Sequence, residues 1–170
     1  MKVFIGGSRK LSKINQQIKI RIDNIINKNF IILIGDANGV DKSIQAYLFS
    51  KNYKNVIIFC VNKQCRNNIG GWRIRHIEYD SKIRDYKYYS SKDIVMANES
   101  HFGFMIWDGE SKGTLNNIVN LLRQEKRVLV YFSPKKIFYD INNFSDLNSA
   151  FPKYHDLGFE IVPNLFTEFL

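Results

Sequence analysis

The sequence predicts a doubly wound α/β fold, in which a mostly parallel sheet of five strands, or slightly more, carries helices on both faces. Short apolar runs alternate along the chain with segments whose apolar residues recur at helical spacing. Several of these runs are apolar throughout, as expected of parallel strands that are covered on both faces. Strands that alternate with helices join through right-handed crossovers, which is the arrangement of a Rossmann-like fold.

The first half of the chain contains three predicted strands and two predicted helices. Residues 2–5 and 30–34 are short runs rich in apolar residues, and each ends at a glycine. Five isoleucines at helical spacing predict an amphipathic helix over residues 12–27. A second apolar pattern predicts a helix around residues 44–48, and residues 56–61 form the third apolar run.

A basic and aromatic insert, residues 62–80, follows the third strand and is predicted to be irregular. A segment of this length is either a functional lid or an irregular surface. Its Trp72 could stack on a base, but a core position is the favoured interpretation. The next predicted elements are a helix over residues 82–97, a strand over 102–107, a helix ending at about 124 and a strand over 127–132.

The C-terminal part loses the regular alternation of strands and helices. Residues 144–151 predict a short helix and residues 159–162 a short strand. We therefore expect one domain over residues 1–170, with its core over about 1–132 and a C-terminal extension over about 133–170.

Composition places the chain among globular proteins, with 45% hydrophobic and 14% aromatic residues. No apolar run approaches the ~20 residues of a membrane span. The first residues predict a strand rather than a signal peptide, so a cytoplasmic location is expected and no membrane partner.

The two cysteines, Cys60 and Cys65, have neither CxxC spacing nor adjacent histidines. We therefore expect neither a structural disulfide nor a zinc site, and predict no metal and no cofactor. Cys60 ends an apolar run and is interpreted as a small core residue.

The formal net charge is +9, which is compatible with a nucleic-acid partner or with an anionic ligand. The lysines are scattered, however, and a chain rich in Lys, Asn and Ile can also reflect an AT-rich genome. Nucleic acid is therefore the less favoured explanation.

A strand, a short polar turn and a helix start follow one another over residues 102–117. Asp108 and Gly109 end the apolar run, and a polar group then precedes the helical pattern: Ser111, Lys112, Gly113 and Thr114. In an open α/β sheet such a junction lies at the carboxyl edge, where ligands bind. Free N–H groups at the helix start favour an anion such as phosphate. The alternative is an ordinary loop with a capping Ser or Thr.

Two other predicted loops lie at the same edge. The first strand runs into Gly6, Gly7, Ser8 and Arg9, which could approach a phosphate or carboxylate closely. The second strand runs into a loop and helix start that contain Gly35, Asp36, Gly39, Val40 and Asp41. Either aspartate could cap a helix or accept hydrogen bonds from ribose hydroxyls.

Together, the three loops resemble those of the SLOG superfamily, a Rossmann-like group that includes the Lonely Guy (LOG) proteins and the core of DNA-processing protein A. The similarity is strongest to small SLOG proteins of the YspA type from bacteria and phages. It covers about residues 3–132 and implies that a nucleotide or nucleotide-derived small molecule binds at the carboxyl edge. SLOG relatives are often dimers or larger, so a homodimer or higher oligomer is expected.

The resemblance to LOG enzymes implies a possible second activity, hydrolysis of the N-glycosidic bond of a nucleoside monophosphate. The Gly-Thr of the LOG pattern falls on Gly113 and Thr114, so its glutamate position falls on Asn117. Its arginine and lysine positions fall on Lys92 and Asp93. An amide cannot act as a base or stabilise a cation by charge, so Asp93 or Asp108 would have to supply the catalytic carboxylate.

Two further alternatives follow from related families. Nucleoside deoxyribosyltransferases use a glutamate nucleophile, for which Glu99 and Glu110 are candidates by residue type alone. DNA-processing protein A binds single-stranded DNA, which the positive charge would suit. The favoured prediction is a nucleotide-binding domain in which phosphate lies against the first and third loops, while Asp36 and Asp41 reach the sugar or order the neighbouring loop.

Overall fold

The computed structural model describes residues 1–63, 65–80 and 86–154, which form seven strands and five α-helices. In chain order the elements are β1 (Lys2–Gly7), α1 (Gln16–Asn27), β2 (Ile31–Gly35), α2 (Val40–Ser50), β3 (Val56–Val61), β4 (Arg73–Ile77), α3 (Tyr86–Glu99), β5 (Phe102–Trp107), α4 (Lys112–Leu122), β6 (Val128–Phe132), β7 (Ile137–Ile141) and α5 (Phe144–Ala150), followed by a 3₁₀ turn (Pro152–Tyr154).

The seven strands form one sheet in the order β4-β3-β2-β1-β5-β6-β7. All neighbouring pairs are parallel except β6 and β7, which are antiparallel. The chain moves outward from β1 to β4 and then returns to place β5 on the other side of β1. The direction of winding therefore reverses between β1 and β5, which confirms the predicted doubly wound fold.

The two layers of the core follow from the period-two alternation of side chains along the strands. Val3 and Ile5 of β1 belong to a buried cluster that also contains Ile22 of α1 and Ile44 of α2. Phe4, between them, belongs to the cluster on the other face, with side chains of α3, α4 and α5. Helices therefore cover both faces of the sheet.

The sheet is larger than the five strands predicted, because the two edge strands lack a continuous apolar run. The insert predicted to be irregular contains β4, in which the side chains of Arg73, Arg75 and His76 are exposed. At the other edge, β7 lies in the C-terminal extension, where no strand was predicted at that position. An edge strand has one unpaired side and packs less apolar surface, so its sequence carries a weaker pattern.

The remaining boundaries differ by a few residues. Helix α1 begins at Gln16 rather than at residue 12, because Asn15 caps it by accepting the N–H of Ile18. The predicted short helix in the C-terminal extension is confirmed as α5, whereas the predicted strand over residues 159–162 lies outside the described residues. In the part of the chain that the structure describes, no helix is both long and apolar enough to cross a membrane.

Candidate functional site

A cleft of about 320 Å³ opens at the carboxyl ends of β1 and β5, where the winding reverses. It brings together residues from all three predicted loops and from α3. The predicted site residues that line it are Gly6, Gly7, Arg9, Asp41, Lys92, Asp93, Asp108, Ser111, Lys112, Gly113 and Thr114.

Gly39 and Val40 shape the loops behind the cleft. Gly39 has a φ of +79°, which is cheap only for glycine, and a Cβ there would lie 2.2 Å from the carbonyl oxygen of Arg9. Val40 is fully buried, and a Cβ on Gly7 would lie 2.9 Å from its Cγ2. These two residues therefore fit the β1 loop closely against the start of α2.

A network of hydroxyl groups joins the β1 loop to the start of α4. Ser111 caps the helix by accepting the N–H of Thr114 at 3.3 Å and its hydroxyl at 3.0 Å. The Ser8 hydroxyl is buried, lies 3.4 Å from that of Thr114 and accepts the N–H of Asp108 at 3.1 Å. The capping alternative is therefore confirmed for Ser111, and the hydroxyls of Ser8 and Thr114 serve the loop structure.

Asp108 closes the turn after β5. Its carboxylate accepts the N–H groups of Glu110 at 3.0 Å and of Ser111 at 2.8 Å, and Gly109 between them has a φ of +81°. Burial alone would raise the pKa of Asp108, but the hydrogen bonds from these amides outweigh it and lower the pKa below its usual value. Asp108 thus remains ionised and is an unsuitable proton donor.

Asp36 orders a neighbouring loop. Its carboxylate, 2% exposed, accepts the backbone N–H of Arg66 at 3.0 Å, Nε at 3.1 Å and Nη2 at 2.7 Å. Burial would raise the pKa of Asp36, but the hydrogen bonds from Arg66 outweigh it and lower the pKa. Of the two roles predicted for Asp36, the structural one is confirmed, because Arg66 occupies both of its oxygens.

A group of buried and partly buried charged and polar side chains lines part of the cleft. The ammonium of Lys92, whose residue is 4% exposed, contacts the Asp93 carboxylate at 2.6 Å, and Asn117 donates to the other oxygen of Asp93 at 3.3 Å. Asp41 accepts the N–H of Ala37 at 3.2 Å. We call Asp41, Lys92, Asp93 and Asn117 the charged cluster.

Gly35 makes room for the charged cluster at the end of β2. A Cβ at that position would lie 2.6 Å from Oδ2 of Asp41 and 2.9 Å from Nζ of Lys92. Any larger residue would therefore displace both charged groups. The role of Gly35 is therefore structural, because the absence of a side chain leaves space for the charged cluster.

Burial governs the protonation of the cluster. It raises the pKa of Asp41 to about 7, against the attraction of Lys92 and with the help of the negative charges of Asp93 and Asp36. For Lys92, burial alone would lower the pKa, but the carboxylates of Asp93 and Asp41 outweigh it and raise the pKa. At neutral pH the cluster therefore holds a charged lysine and an Asp41 that is close to its titration midpoint.

Helix α3 provides a stripe of side chains that sequence reasoning identified only in part. Tyr89, Lys92, Asp93 and Met96 recur at i, i+3, i+4 and i+7, and all four line the cleft. The lining residues that were not predicted are Phe4, Lys10, Ala37, Arg66, Tyr89, Ser90 and Met96. Glu110 and Asn117 also line the cleft, and the sequence had pointed to them only through the related enzyme families. Helical spacing from Lys92 would have suggested Tyr89 and Met96 as site residues. Arg66 lies in the insert, where no periodic pattern in the sequence indicates a site residue.

The structure overturns the expectation that the cysteines stay unpaired. Cys60, at the end of β3, forms a disulfide with Cys65, and their Cα atoms are 5.2 Å apart. The chain turns back directly after β3 through Asn62, whose φ is +53°, so two cysteines without CxxC spacing still meet. Asp36 and the two sulfurs lie within 4.8 Å of one another, but sulfurs in a disulfide are not thiolate ligands for a metal.

Trp72 lies in the core, and the two glutamates considered for a transferase, Glu99 and Glu110, both form ion pairs. Trp72 is 7% exposed and donates its ring N–H to the carbonyl oxygen of Tyr53, which confirms the core position. Glu99 forms ion pairs with Lys2 and Arg75. Glu110 lines the cleft, where its carboxylate contacts the ammonium of Lys10 at 2.7 Å.

No family model matches this chain, and a search of curated proteins finds no similar sequence.

Proposed function

We propose that this protein binds a nucleotide or nucleotide-like small molecule in the cleft, with an anionic group at the start of α4. One observation carries the proposal: the cationic side chains of Arg9 and Lys112 and the first turn of α4 line a single cleft at the switch point of the sheet. The Ser111 side chain already accepts the N–H of Thr114, so the N–H groups of Lys112 and Gly113 are the ones in this first turn that favour a phosphate.

The size of the cleft and the charged cluster that lines it also suit such a ligand. A volume of about 320 Å³ lies within the range of small-molecule sites. The charged cluster offers a lysine ammonium and carboxylate oxygens, which can hydrogen-bond sugar hydroxyls or the edge of a base. The resemblance to SLOG proteins, which bind nucleotide-derived ligands, supports the same function.

A thermal-shift screen with nucleoside mono-, di- and triphosphates and cyclic nucleotides tests the proposal. A ligand at 100 times its dissociation constant should add about 2.7 kcal/mol of stability. For a chain of this length that corresponds to a rise in melting temperature of roughly 5–10 °C. The Lys112→Ala variant should show a smaller rise. The absence of any shift across the panel would refute nucleotide binding.

A second candidate function is N-glycosidic cleavage of a nucleoside monophosphate. The observation that favours it is the position of Asp93, which lines the cleft and accepts a hydrogen bond from Asn117, where LOG enzymes have their glutamate. Its carboxylate could stabilise an oxocarbenium-like transition state. Asp108 is the weaker candidate, because its carboxylate is already bonded to two amides.

We expect weak or no release of free base by the parent protein, because Asn117 provides a dipole instead of a charge. One missing charge-stabilising group lowers a rate roughly a hundredfold to a thousandfold. Chromatography of nucleoside monophosphates after long incubation measures release, with Asn117→Glu and Asp93→Asn run alongside. Rapid release by the parent that Asp93→Asn abolishes would show that Asp93 has taken the catalytic role.

Nucleic-acid binding is the alternative from a different class, and salt dependence separates it from small-ligand binding. The affinity for single-stranded DNA should fall steeply with salt as counterions are released. Binding of a mononucleotide should change much less. Membership of the SLOG superfamily, a cytoplasmic location and a homo-oligomeric state stay predictions.

A further inference from the structure

Arg66 and Tyr89 meet at the cleft although they belong to different parts of the chain. Both line it, and the guanidinium carbon of Arg66 lies over the ring of Tyr89, 4.9 Å from its centroid. Arg66 comes from the loop after β3 and Tyr89 from α3. A guanidinium and a phenol ring are both planar groups that stack on aromatic rings.

The guanidinium of Arg66 is held in place before any ligand arrives. Nε and Nη2 donate to the two oxygens of Asp36, which is almost fully buried. Asn67, the next residue, donates to the carbonyl oxygen of Asp36 at 2.8 Å. The disulfide between Cys60 and Cys65 anchors the residue before Arg66 to β3. A side chain fixed in this way loses little conformational entropy when a ligand packs on it.

The position of Tyr89 relative to the proposed phosphate site follows from the fold. Tyr89 lies one helical turn before Lys92 on the cleft face of α3. Arg66 is attached to Asp36, which directly follows β2, whereas α4 follows β5. β1 lies between β2 and β5, so at about 4.8 Å per strand these ends are roughly 10 Å apart. That separation suits a ligand with an anionic end and a ring joined by a sugar.

We infer that Arg66 and Tyr89 form a stacking surface for the planar heterocycle of the ligand. The cleft therefore recognises a nucleobase in addition to a sugar phosphate. This inference rests on the proposed function and specifies the ligand further. The charged cluster, one turn along α3 from Tyr89, would then lie beside the sugar.

Calorimetric titration with two kinds of ligand tests the stacking surface. The probes are the four common nucleoside 5′-monophosphates and ribose 5-phosphate, which shares the phosphate and sugar and lacks the ring. Tyr89→Ala should lower the affinity for the tightest-binding nucleoside monophosphate about 10- to 100-fold. It should change the affinity for ribose 5-phosphate by no more than about twofold. Tyr89→Phe, which keeps the ring, should retain the parent affinity.

Arg66→Lys provides a second variant that keeps a cation next to Asp36 and removes the planar group. This variant should lower the affinity for the nucleoside monophosphate more than the affinity for ribose 5-phosphate. Melting temperatures of all variants show whether the fold is retained. An equal loss for both ligands in Tyr89→Ala, or no loss for either, would overturn the inference.

The parent protein itself separates this inference from the proposed function. If it binds ribose 5-phosphate as tightly as every nucleoside monophosphate, the stacking surface is refuted while the phosphate site stands. If it binds none of these probes, and none of the nucleotides in the thermal-shift screen, both proposals fail together.

Discussion

Replacing Asp41 with asparagine should make the protein more stable, and increasingly so as the pH rises. Asp41 is 7% exposed, and its pKa is raised from 3.8 to about 7, mainly by burial. The charges that face it are those of Lys92, Asp93 and Asp36. Asparagine has nearly the same shape and keeps one oxygen to accept the N–H of Ala37, so the variant removes the titration and retains the contact.

The direction in which stability changes with pH follows from the number of protons that the folded and the unfolded chain bind. Between pH 3.8 and about 7 the folded protein keeps a proton on Asp41 that the unfolded chain has released. Stability therefore falls as the pH rises through this window, by up to about 1.4 kcal/mol per pH unit, and the loss is complete above the folded pKa. Asp41→Asn lacks this loss. Its stability relative to the parent should grow by roughly 2–3 kcal/mol between pH 5 and pH 8.

Urea unfolding of parent and variant at several pH values between 5 and 8.5 measures this difference. Asp140→Asn, whose side chain is 55% exposed, is the matched control and should follow the parent curve. Titrating groups distant from Asp41 are common to parent and variant, so their contributions cancel in the comparison. Parallel stability curves for the parent and Asp41→Asn would refute the reasoning that burial controls the protonation of Asp41.

Three other variants test the loops around the cleft. Gly39→Val should cost at least roughly 1–3 kcal/mol of stability, because its φ is +79° and a Cβ would meet backbone atoms at 2.2 Å; an unchanged urea midpoint would contradict this. Lys112→Ala should weaken nucleotide binding about tenfold at constant melting temperature, whereas Thr114→Ala should cost roughly 1–3 kcal/mol of stability, since its hydroxyl is buried and bonded. Reduction of the Cys60–Cys65 disulfide should lower the free energy of unfolding, measured in urea, by about 2 kcal/mol. Cys65→Ser is the control, because a reductant should leave its stability unchanged.

Local patterns in the sequence were sufficient for the central part of the fold. β3 and β5 were predicted with the bounds that the structure shows, because central parallel strands are buried on both faces and must be apolar throughout. The three loops at the carboxyl edge also followed from sequence, since parallel strands all end at the same edge. The edge strands β4 and β7 escaped prediction because they are only partly covered.

The candidate site was predicted in part for a related reason. Loops that directly follow a strand are identifiable from the strand itself, so Gly7, Arg9 and Lys112 were found. Tyr89 and Met96 lie on a helix whose cleft-facing stripe mixes aromatic, charged and apolar residues. Such a stripe has no simple hydrophobic pattern, and only Lys92 and Asp93 were found there, through the resemblance to LOG enzymes.

The sequence by itself determined the alternation of the central strands and helices, the doubly wound topology and the edge at which the loops collect, because each depends on the apolar period of short segments. The edge strands β4 and β7 lack such a pattern. Only the tertiary structure decided that Arg66 pairs with Asp36, that Cys60 and Cys65 are joined, and that Asp41 titrates near neutral pH. These properties depend on the distances and the burial of groups from separate segments. The electrostatic energy of a charged group is set by the neighbours and the water around it, and neither is encoded in the pattern of its own segment.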